Sequence, residues 1–487
     1  MPFQFDNSYA RLPGHFYSPI HPMPAPKPAW LAINEALAAL VGLEAEELQS
    51  PELLAVFAGN HIPAGAQPIA LAYAGHQFGG FVPRLGDGRA ILLGEVVGKD
   101  GLRRDIQLKG SGRTPFSRGG DGRAALGPVL REFLVSEAMF ALGIPTTRAL
   151  AAVLTGEPVF RQQPLPGAVL TRVASSHLRV GTFEYFAHRN DKEALEALVD
   201  YALSRHYPSY KKAEEPALSL LEAVMDRQSA LIAQWLGLGF VHGVMNTDNC
   251  SIAGETLDFG PCAFLDAFDP KRSFSSIDQF GRYAFSNQPK IALWNMARLA
   301  EALLPILGGE QAKTISILEA RLSEFPGRFE RAYESEMRAK LGLFEARPGD
   351  GELINELLAL MTKERADYTN TFRRLGDLVL NEDEAQSGLF SDRERFQAWL
   401  KTWRARMGGE GLSPGERALS MRSKNPAFVP RNHRVEEAIS SAMQGDLAPF
   451  ERLRKVLARP CEEQPEHAEL AKPPGEEQWM YQTFCGT

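Results

Sequence analysis

Apolar residues change their spacing part-way along this chain. Up to about residue 170 they fall into short runs cut by Gly and Pro, and from about Lys192 onward they recur at helical spacing. The first pattern predicts strands and the second helices. The expected fold class is therefore α+β, with a small strand-rich part, a larger helical part and room for a cleft between them. Strands are predicted over residues 90–97 (A-I-L-L-G-E-V-V) and 104–109 (R-D-I-Q-L-K), joined by the turn Gly98-Lys99-Asp100-Gly101, and again over residues 149–155 and 167–173. After Gly127-Pro128 a helix is predicted over residues 129–142, with Leu130, Phe133, Leu134, Ala138 and Ala141 on one face. Further helices are predicted over residues 216–236, where Pro216 suits the first helical position, and over residues 291–304, 354–372, 393–407 and 434–443. Residues 462–477 are polar and Pro-containing and read as a flexible tail.

A net charge of −7 on 487 residues, 44% of them hydrophobic and 23% charged, describes an ordinary soluble globular chain and argues against a surface that coats nucleic acid. The first 20 residues lack a basic segment followed by an apolar run, so no secretory signal is expected. No stretch approaches the roughly 20 consecutive apolar residues of a membrane span. The cytoplasm is the expected compartment. Cys250, Cys262, Cys461 and Cys485 are too few for a disulfide scaffold, and none stands at C-x-x-C spacing for structural zinc. Cys485, followed only by Gly486 and Thr487, is either an unimportant exposed thiol or a redox-active one.

The densest chemistry lies in residues 240–260. Phe240-Val241 ends an apolar run, and His242-Gly243-Val244-Met245-Asn246-Thr247-Asp248-Asn249 follows. After a turn at Ala253-Gly254-Glu255 comes Leu257-Asp258-Phe259-Gly260. This reads as a tight hairpin that presents Asn249 at one end and Asp258 at the other. An amide oxygen and a carboxylate so placed are hard ligands suited to Mg²⁺ on nucleotide phosphates. A loop running from His to Asn, followed nine residues later by D-F-G, is also the pattern of kinase-like enzymes. A protein kinase carries its catalytic Asp two residues after that His. Here the position is Val244, which cannot accept a proton, and the nearest carboxylate is Asp248.

Upstream, Lys109 ends a predicted strand, and Glu132 and Glu137 lie on the next helix. A strand lysine opposite a helix glutamate holds nucleotide phosphates in kinase-like folds, and periodicity does not choose between the two acids. Gly86-Asp87-Gly88-Arg89 and Gly119-Gly120-Asp121-Gly122-Arg123 look like phosphate cradles. Arg172 and Arg179, flanking Ser175-Ser176-His177, add cations that could meet a polyphosphate. Singly, each is an ordinary turn or a solvated side chain. As a set they point to a nucleotide.

At this point the chain resembles the selenoprotein O family, kinase-like protein adenylyltransferases. The likeness is carried by Tyr73-Ala74-Gly75-His76-Gln77-Phe78-Gly79, Leu85-Gly86-Asp87-Gly88-Arg89, Gly119-Gly120-Asp121-Gly122-Arg123-Ala124 and Gly143-Ile144-Pro145-Thr146-Thr147-Arg148. It continues through the loop from His242 to Asn249, Asn425-Pro426 and Arg431-Asn432, and so spans most of the chain. The resemblance implies a protein-kinase-like two-lobed fold. Residues 1–170 would form the strand-rich, nucleotide-binding lobe, residues 171–400 the helical lobe with the catalytic loop and D-F-G, and residues 401–487 a helical extension and tail.

The same resemblance implies ATP bound flipped relative to ordinary kinases, with the α-phosphate beside the acceptor hydroxyl. AMP would pass to Ser, Thr or Tyr of client proteins and pyrophosphate would leave, which accounts for Val244. By position, Asp248 resembles the family's proton acceptor, and Asn249 and Asp258 its Mg²⁺ ligands, with Mn²⁺ as the alternative ion. Gly86, Gly88, Arg89, Lys109, Asp121, Gly122, Arg172 and Arg179 match its nucleotide-binding positions, and Glu132 is taken as the partner of Lys109. Cys485 looks like the Cys or selenocysteine that family members carry near the C-terminus. In some bacterial relatives that residue pairs with a cysteine after D-F-G, where this chain has Phe274, Cys262 being a possible substitute. The competing readings are a conventional kinase-type phosphotransferase, UMP transfer from UTP with Mn²⁺, and a catalytically silent nucleotide-binding module. No nucleic-acid or membrane partner is expected.

Overall fold

The computed structural model describes residues 3–380, 389–475 and 482–483. The first part of the chain contains β1 (Tyr17–Pro19), β2 (Ala29–Ile33), α1 (Glu35–Leu40), α2 (Pro51–Phe57) and β3 (Ile69–Leu71). A separate two-stranded ribbon, β4 (Gly75–Gln77) and β5 (Gly80–Val82), comes next. β6 (Ala90–Val97), β7 (Arg103–Lys109), the short β8 (Ala124–Ala125), α3 (Leu126–Ala141), β9 (Arg148–Phe160) and β10 (Pro164–Ala174) complete the strand-rich part. The main sheet runs β1-β3-β6-β7-β10-β9-β2, with β8 paired to β10 off that path, and its neighbouring strands are antiparallel.

β6, β9 and β10 are largely apolar because helices cover both faces of the sheet, whereas β7 alternates Ile106 and Leu108 with Asp105, Gln107 and Lys109. On one face Leu93, Ile106, Leu108, Val153 and Val169 pack with Leu37, Leu53, Val56 and Phe57 of α1 and α2. On the other, Ala168 and Leu170 pack with Leu126, Leu130, Phe133 and Leu134 of α3. Lys109 and Arg172 sit on this second face, both bonded to Glu132 of α3, so the charged site lies on the α3 side of the sheet.

The helical part comprises α4 (Val180–Ala187), α5 (Lys192–His206), α6 (Pro216–Leu238), the paired β11 (Phe240–Val241) and β12 (Ala263–Phe264), α7 (Gln288–Leu303), α8 (Gln311–Leu322) and α9 (Phe325–Lys340). It continues with α10 (Asp350–Glu364), α11 (Tyr368–Leu380), α12 (Arg393–Met407), α13 (Pro414–Lys424), α14 (Asn432–Met443) and α15 (Ala448–Leu457). Its centre is α6, begun by Pro216 and ended by Gly239 in the left-handed conformation at φ 76°. Leu220, Leu221, Val224 and Ile232 of α6 share one core with Leu299 of α7, Met337 of α9 and Trp403 of α12. Among the described residues no helix is long and apolar enough to cross a membrane.

Several expectations are corrected. The helix predicted over residues 354–372 is two, α10 and α11, broken at Arg365 (φ 53°) without any Gly or Pro. The break exists because Phe268 N–H donates to Ala366 C=O and Tyr368 N–H to Asp266 C=O, each at 2.8 Å, so this backbone pairs with a distant segment instead of continuing the helix. α3 begins at Leu126, before Gly127-Pro128. The expected tail is largely ordered: Pro465–Ala471 forms 3-10 turns, Gln464 is held by Val456 and Arg459 carbonyls, and Leu470 is buried in the α3 core. Residue 170 falls inside β10 and residue 400 inside α12.

That α3 core is closed by the end of the chain. Val435 and Ile439 of α14 and Phe450 and Leu453 of α15 cover α3, the Phe133 and Phe450 rings meeting at 5.9 Å. Phe450→Ala is therefore expected to destabilise the protein by about 3–5 kcal/mol, read as a lowered midpoint in urea unfolding.

Candidate active site

Antiparallel pairing of β7 and β10 sets Leu170 opposite Lys109 and Arg172 opposite Gln107. Lys109 and Arg172 are thus diagonal neighbours on the α3 face, and both are buried. Two cations so close in a protein interior need carboxylates. Glu132 of α3 supplies one: it bonds Lys109 Nζ through Oε2 at 2.5 Å and Arg172 Nε through Oε1. Asp258 supplies the other, its Oδ1 lying 3.0 Å from Lys109 Nζ and 3.2 Å from Arg172 Nη2. Burial raises the Asp258 pKa, but Lys109, Arg172 and Arg89 outweigh it and hold the carboxyl far below its usual range. Glu132 is lowered in the same way, with Arg172 and Lys109 overcoming burial. Glu137, the other candidate on α3, is taken up by Arg148 at 2.6 and 2.8 Å, by the Ala149 N–H and by Asn34.

The hairpin expected over residues 240–260 is present, with β11 pairing β12 and Cys250 bridging Thr256. His242 is its internal strut. Its Nε2–H donates to Leu257 C=O at 3.1 Å while Nδ1 accepts from Val244 N–H at 3.4 Å, which fixes a neutral ring, and burial lowers its pKa further. Asp258 sits in the left-handed region at φ 70°, a conformation Asp tolerates better than most residues. Asn249 donates its amide N–H to Val244 C=O at 3.1 Å, which leaves the amide oxygen available as a ligand.

These groups surround a cavity of about 780 Å³. Gly86, Gly88, Arg89, Lys109, Asp121, Gly122, Arg172 and Arg179 line it together with Val244, Asp248, Asn249 and Asp258, while Glu132 stands behind Lys109. Both glycine-rich segments pack on residues 112–116 of the connection between β7 and β8. A Cβ on Gly86 would lie 2.2 Å from the Phe116 ring, and one on Gly122 would lie 2.0 Å from Gly112 O. Glycine at both places is thus already demanded by loop-to-loop contact. The Asp121 carboxylate is spent on Arg161 (2.8 and 3.2 Å) and the Arg123 N–H, tying this loop to the β9–β10 turn.

On the helical side, Arg179 donates to Asp248 C=O at 3.1 Å and lies 4.2 Å from the Tyr73 ring. Its buried Nη2 has no hydrogen-bond partner among the described residues. Asp248 Oδ2 accepts from Gln77 at 3.2 Å, whereas the enclosed Oδ1 is unpartnered among the described residues. Burial pushes the Asp248 carboxyl up to about 6, with Arg179 and Gln77 opposing. The sequence had singled out neither Arg161 nor the contacts of the β4–β5 ribbon, because Gln77 and Asp248 lie 171 positions apart.

Asn249 and Asp258 offer hard oxygens on the cavity wall. Among the described residues no three His, Cys, Asp or Glu side chains gather as a metal cage. The donor set therefore fits an ion such as Mg²⁺, which takes one or two protein oxygens and fills its shell with phosphate and water. Cys485 lies outside the described residues. Phe274 is buried, and Thr483 pairs beside it, donating its N–H to Phe274 C=O at 2.8 Å and its hydroxyl to Pro261 C=O at 2.5 Å. Cys262 is fully buried and its thiol is pushed up to about 12 by burial, so it is not a ready nucleophile for a disulfide.

Residues 1–458 match the family described as "Protein adenylyltransferase SelO". Among similar proteins, one from Methylorubrum extorquens named "Protein nucleotidyltransferase YdiU" is 58% identical over 494 residues, covering 100% of this chain and 99% of the relative. Proteins of the same name from a Bradyrhizobium species and from Rhodopseudomonas palustris are 56% and 57% identical, again over 100% of this chain and 99% of theirs.

Removing Glu132 leaves two buried cations with Asp258 alone. Glu132→Ala is expected to cost about 3–5 kcal/mol in urea unfolding, well beyond the effect of an exposed Glu→Ala change such as Glu193→Ala measured alongside.

Proposed function

The chain belongs to the SelO family of protein nucleotidyltransferases, and from that premise we propose that it transfers AMP from ATP to Ser, Thr or Tyr hydroxyls of client proteins, releasing pyrophosphate. The observation that carries this reading is the exchange of carboxylates in the loop after His242. Val244 occupies the position where a kinase keeps its base, and Asp248 faces the same cavity with a carboxyl held near 6 by burial. A base displaced along the loop matches a nucleotide whose α-phosphate, not its γ-phosphate, lies beside the acceptor.

In this reading the sheet with α3 is the nucleotide-binding lobe of a kinase-like, two-lobed cytoplasmic enzyme, and the helical part is its second lobe. Arg89, Lys109, Arg172 and Arg179 hold the phosphates in a cavity where two cations are already fixed by Glu132 and Asp258, so little reorganisation accompanies reaction. The acceptor oxygen forms a bond to the α-phosphorus as the bond to pyrophosphate breaks. The hydroxyl proton passes to the Asp248 carboxylate. Mg²⁺ or Mn²⁺, held by Asn249 and Asp258, supplies charge neutralisation on the phosphates when bound.

The test is label transfer to protein from ATP carrying a radioactive α-phosphate, beside γ-labelled ATP and α-labelled UTP with Mn²⁺. Label from α-labelled ATP alone is expected, lost in Asp258→Ala and reduced at least about 100-fold in Lys109→Ala. Label from the γ-position alone would make this a kinase, label from UTP alone a uridylyltransferase, and no label a silent binding module. The pH dependence follows from Asp248. Its carboxyl is raised, so the acceptor is deprotonated above about 6 and protonated below, and the transfer rate is expected to fall about tenfold per pH unit under that value.

A further inference from the structure

The β4–β5 ribbon belongs to neither the main sheet nor the helical core, yet it is tied closely to the loop that carries Asp248. Three consecutive ribbon residues each grip one of three consecutive loop residues. His76 N–H donates to Thr247 Oγ1 at 2.7 Å, Gln77 Nε2–H to Asp248 Oδ2 at 3.2 Å, and Phe78 N–H to Asn246 Oδ1 at 3.1 Å. Glu184 of α4 locks the first grip, taking the His76 ring at one oxygen and the Thr247 hydroxyl at the other, 2.5 Å away. Tyr283 locks the third, donating its hydroxyl to Asn246 Oδ1 at 2.7 Å.

The turn between the strands is strained to make these contacts. Phe78 and Gly79 both have positive φ, 52° and 89°. A bulky residue in the left-handed region persists only where its surroundings over-determine it. Here the Phe78 N–H to Asn246 and the Phe78 ring against Tyr283 at 5.2 Å do so.

His76 and Phe78 reach the loop through backbone N–H groups, while their rings brace the ribbon against Glu184 and Tyr283. Gln77 differs, because its side chain reaches the carboxylate itself. The amide must present its nitrogen, since the flipped orientation would set oxygen against oxygen. On the opposite side, Asp248 Oδ1 is walled in by Gly75, where an added Cβ would lie 2.8 Å away. Rotation of the carboxylate out of its plane would break the Gln77 bond, and any side chain at position 75 would take the room that Oδ1 fills. With Oδ1 enclosed, Oδ2 is the oxygen left to meet a hydroxyl in the cavity, and one of its lone pairs is committed to Gln77.

We propose that Gln77 is a positioning residue that fixes the plane of the Asp248 carboxylate, so that Oδ2 presents its second lone pair to the acceptor hydroxyl, with Gly75 leaving the room that Oδ1 fills. This rests on Asp248 being the proton acceptor. Gln77 takes no proton itself and stays bonded through the reaction.

The experiment compares wild type, Gln77→Met, Gln77→Ala and Asp248→Asn for kcat and KM of protein labelling, ATP affinity by calorimetry, and Tm. Methionine keeps the length and volume of Gln77 without its donor. The expected result for Gln77→Met is a kcat lowered roughly 10- to 100-fold, with ATP affinity, KM and Tm unchanged. Gln77→Ala should give the same kcat loss, because the lost donor and not the lost volume is responsible. Wild-type kcat in Gln77→Met overturns the proposal, and so does a kcat loss accompanied by an equal fall in ATP affinity or a lowered Tm, since that is a structural effect. Wild-type kcat in Asp248→Asn would instead remove the proton-acceptor reading on which the proposal stands.

Discussion

Everything in this site hangs on four side chains whose charges cancel: Lys109, Arg172 and Glu132, which are buried, and Asp258, which is half-buried at the cavity wall. Taking such groups out of water is costly, and a cluster of this kind is stable only when each charge is matched at close range. The arrangement meets that condition by drawing its members from four different places: β7, β10, α3 and the segment after β11. The cluster is therefore a joint as much as a site. It registers the sheet against α3 and pulls the Asp258 hairpin of the helical part onto both. The left-handed backbone at Asp258 is what turns its carboxylate toward this joint.

The other side of the cavity follows a different logic. Asp248 has burial that Arg179 and Gln77 offset only in part, and its pKa moves up where that of Asp258 moves down. Two aspartates ten positions apart are thus driven in opposite directions by their surroundings. One is held permanently ionised and suited to phosphate and metal chemistry. The other is drawn by burial toward its protonated form.

What the sequence revealed depended on how local the cause was. β6 was legible because its buried run from Ala90 to Val96 is apolar apart from Gly94 and Glu95, β7 because Ile106 and Leu108 alternate with polar residues, and α6 because Pro216 marks its start. The approach of Asn249 toward Asp258 was legible because a short hairpin joins them. Glu132 could not be told from Glu137 by periodicity, since α3 is packed by the sheet on one side and by α14 and α15 on another and has no single apolar stripe. The break at Arg365 was hidden because its cause is backbone pairing with residues 266–268. Family resemblance chose Glu132 where spacing could not, but it assigned no task to Gln77 or Arg161, whose roles come from contacts between segments far apart in the chain.

The return of α14 and α15 to cover α3 also has a consequence for how the protein is made. Arg131 and Asn432, hydrogen-bonded at 3.0 Å, are 301 positions apart. A ribosome adding about 5–20 residues per second needs roughly 15–60 s to cover that distance. Throughout that interval α3 has emerged with the surface that meets α14 and α15, Phe133 among it, lacking its cover. The strand-rich part therefore cannot be finished first and set aside, as early domains usually are during synthesis. Its completion waits for the last helices to leave the exit tunnel, and until then the nascent chain offers a sticky helix of the kind that trigger-type chaperones shield.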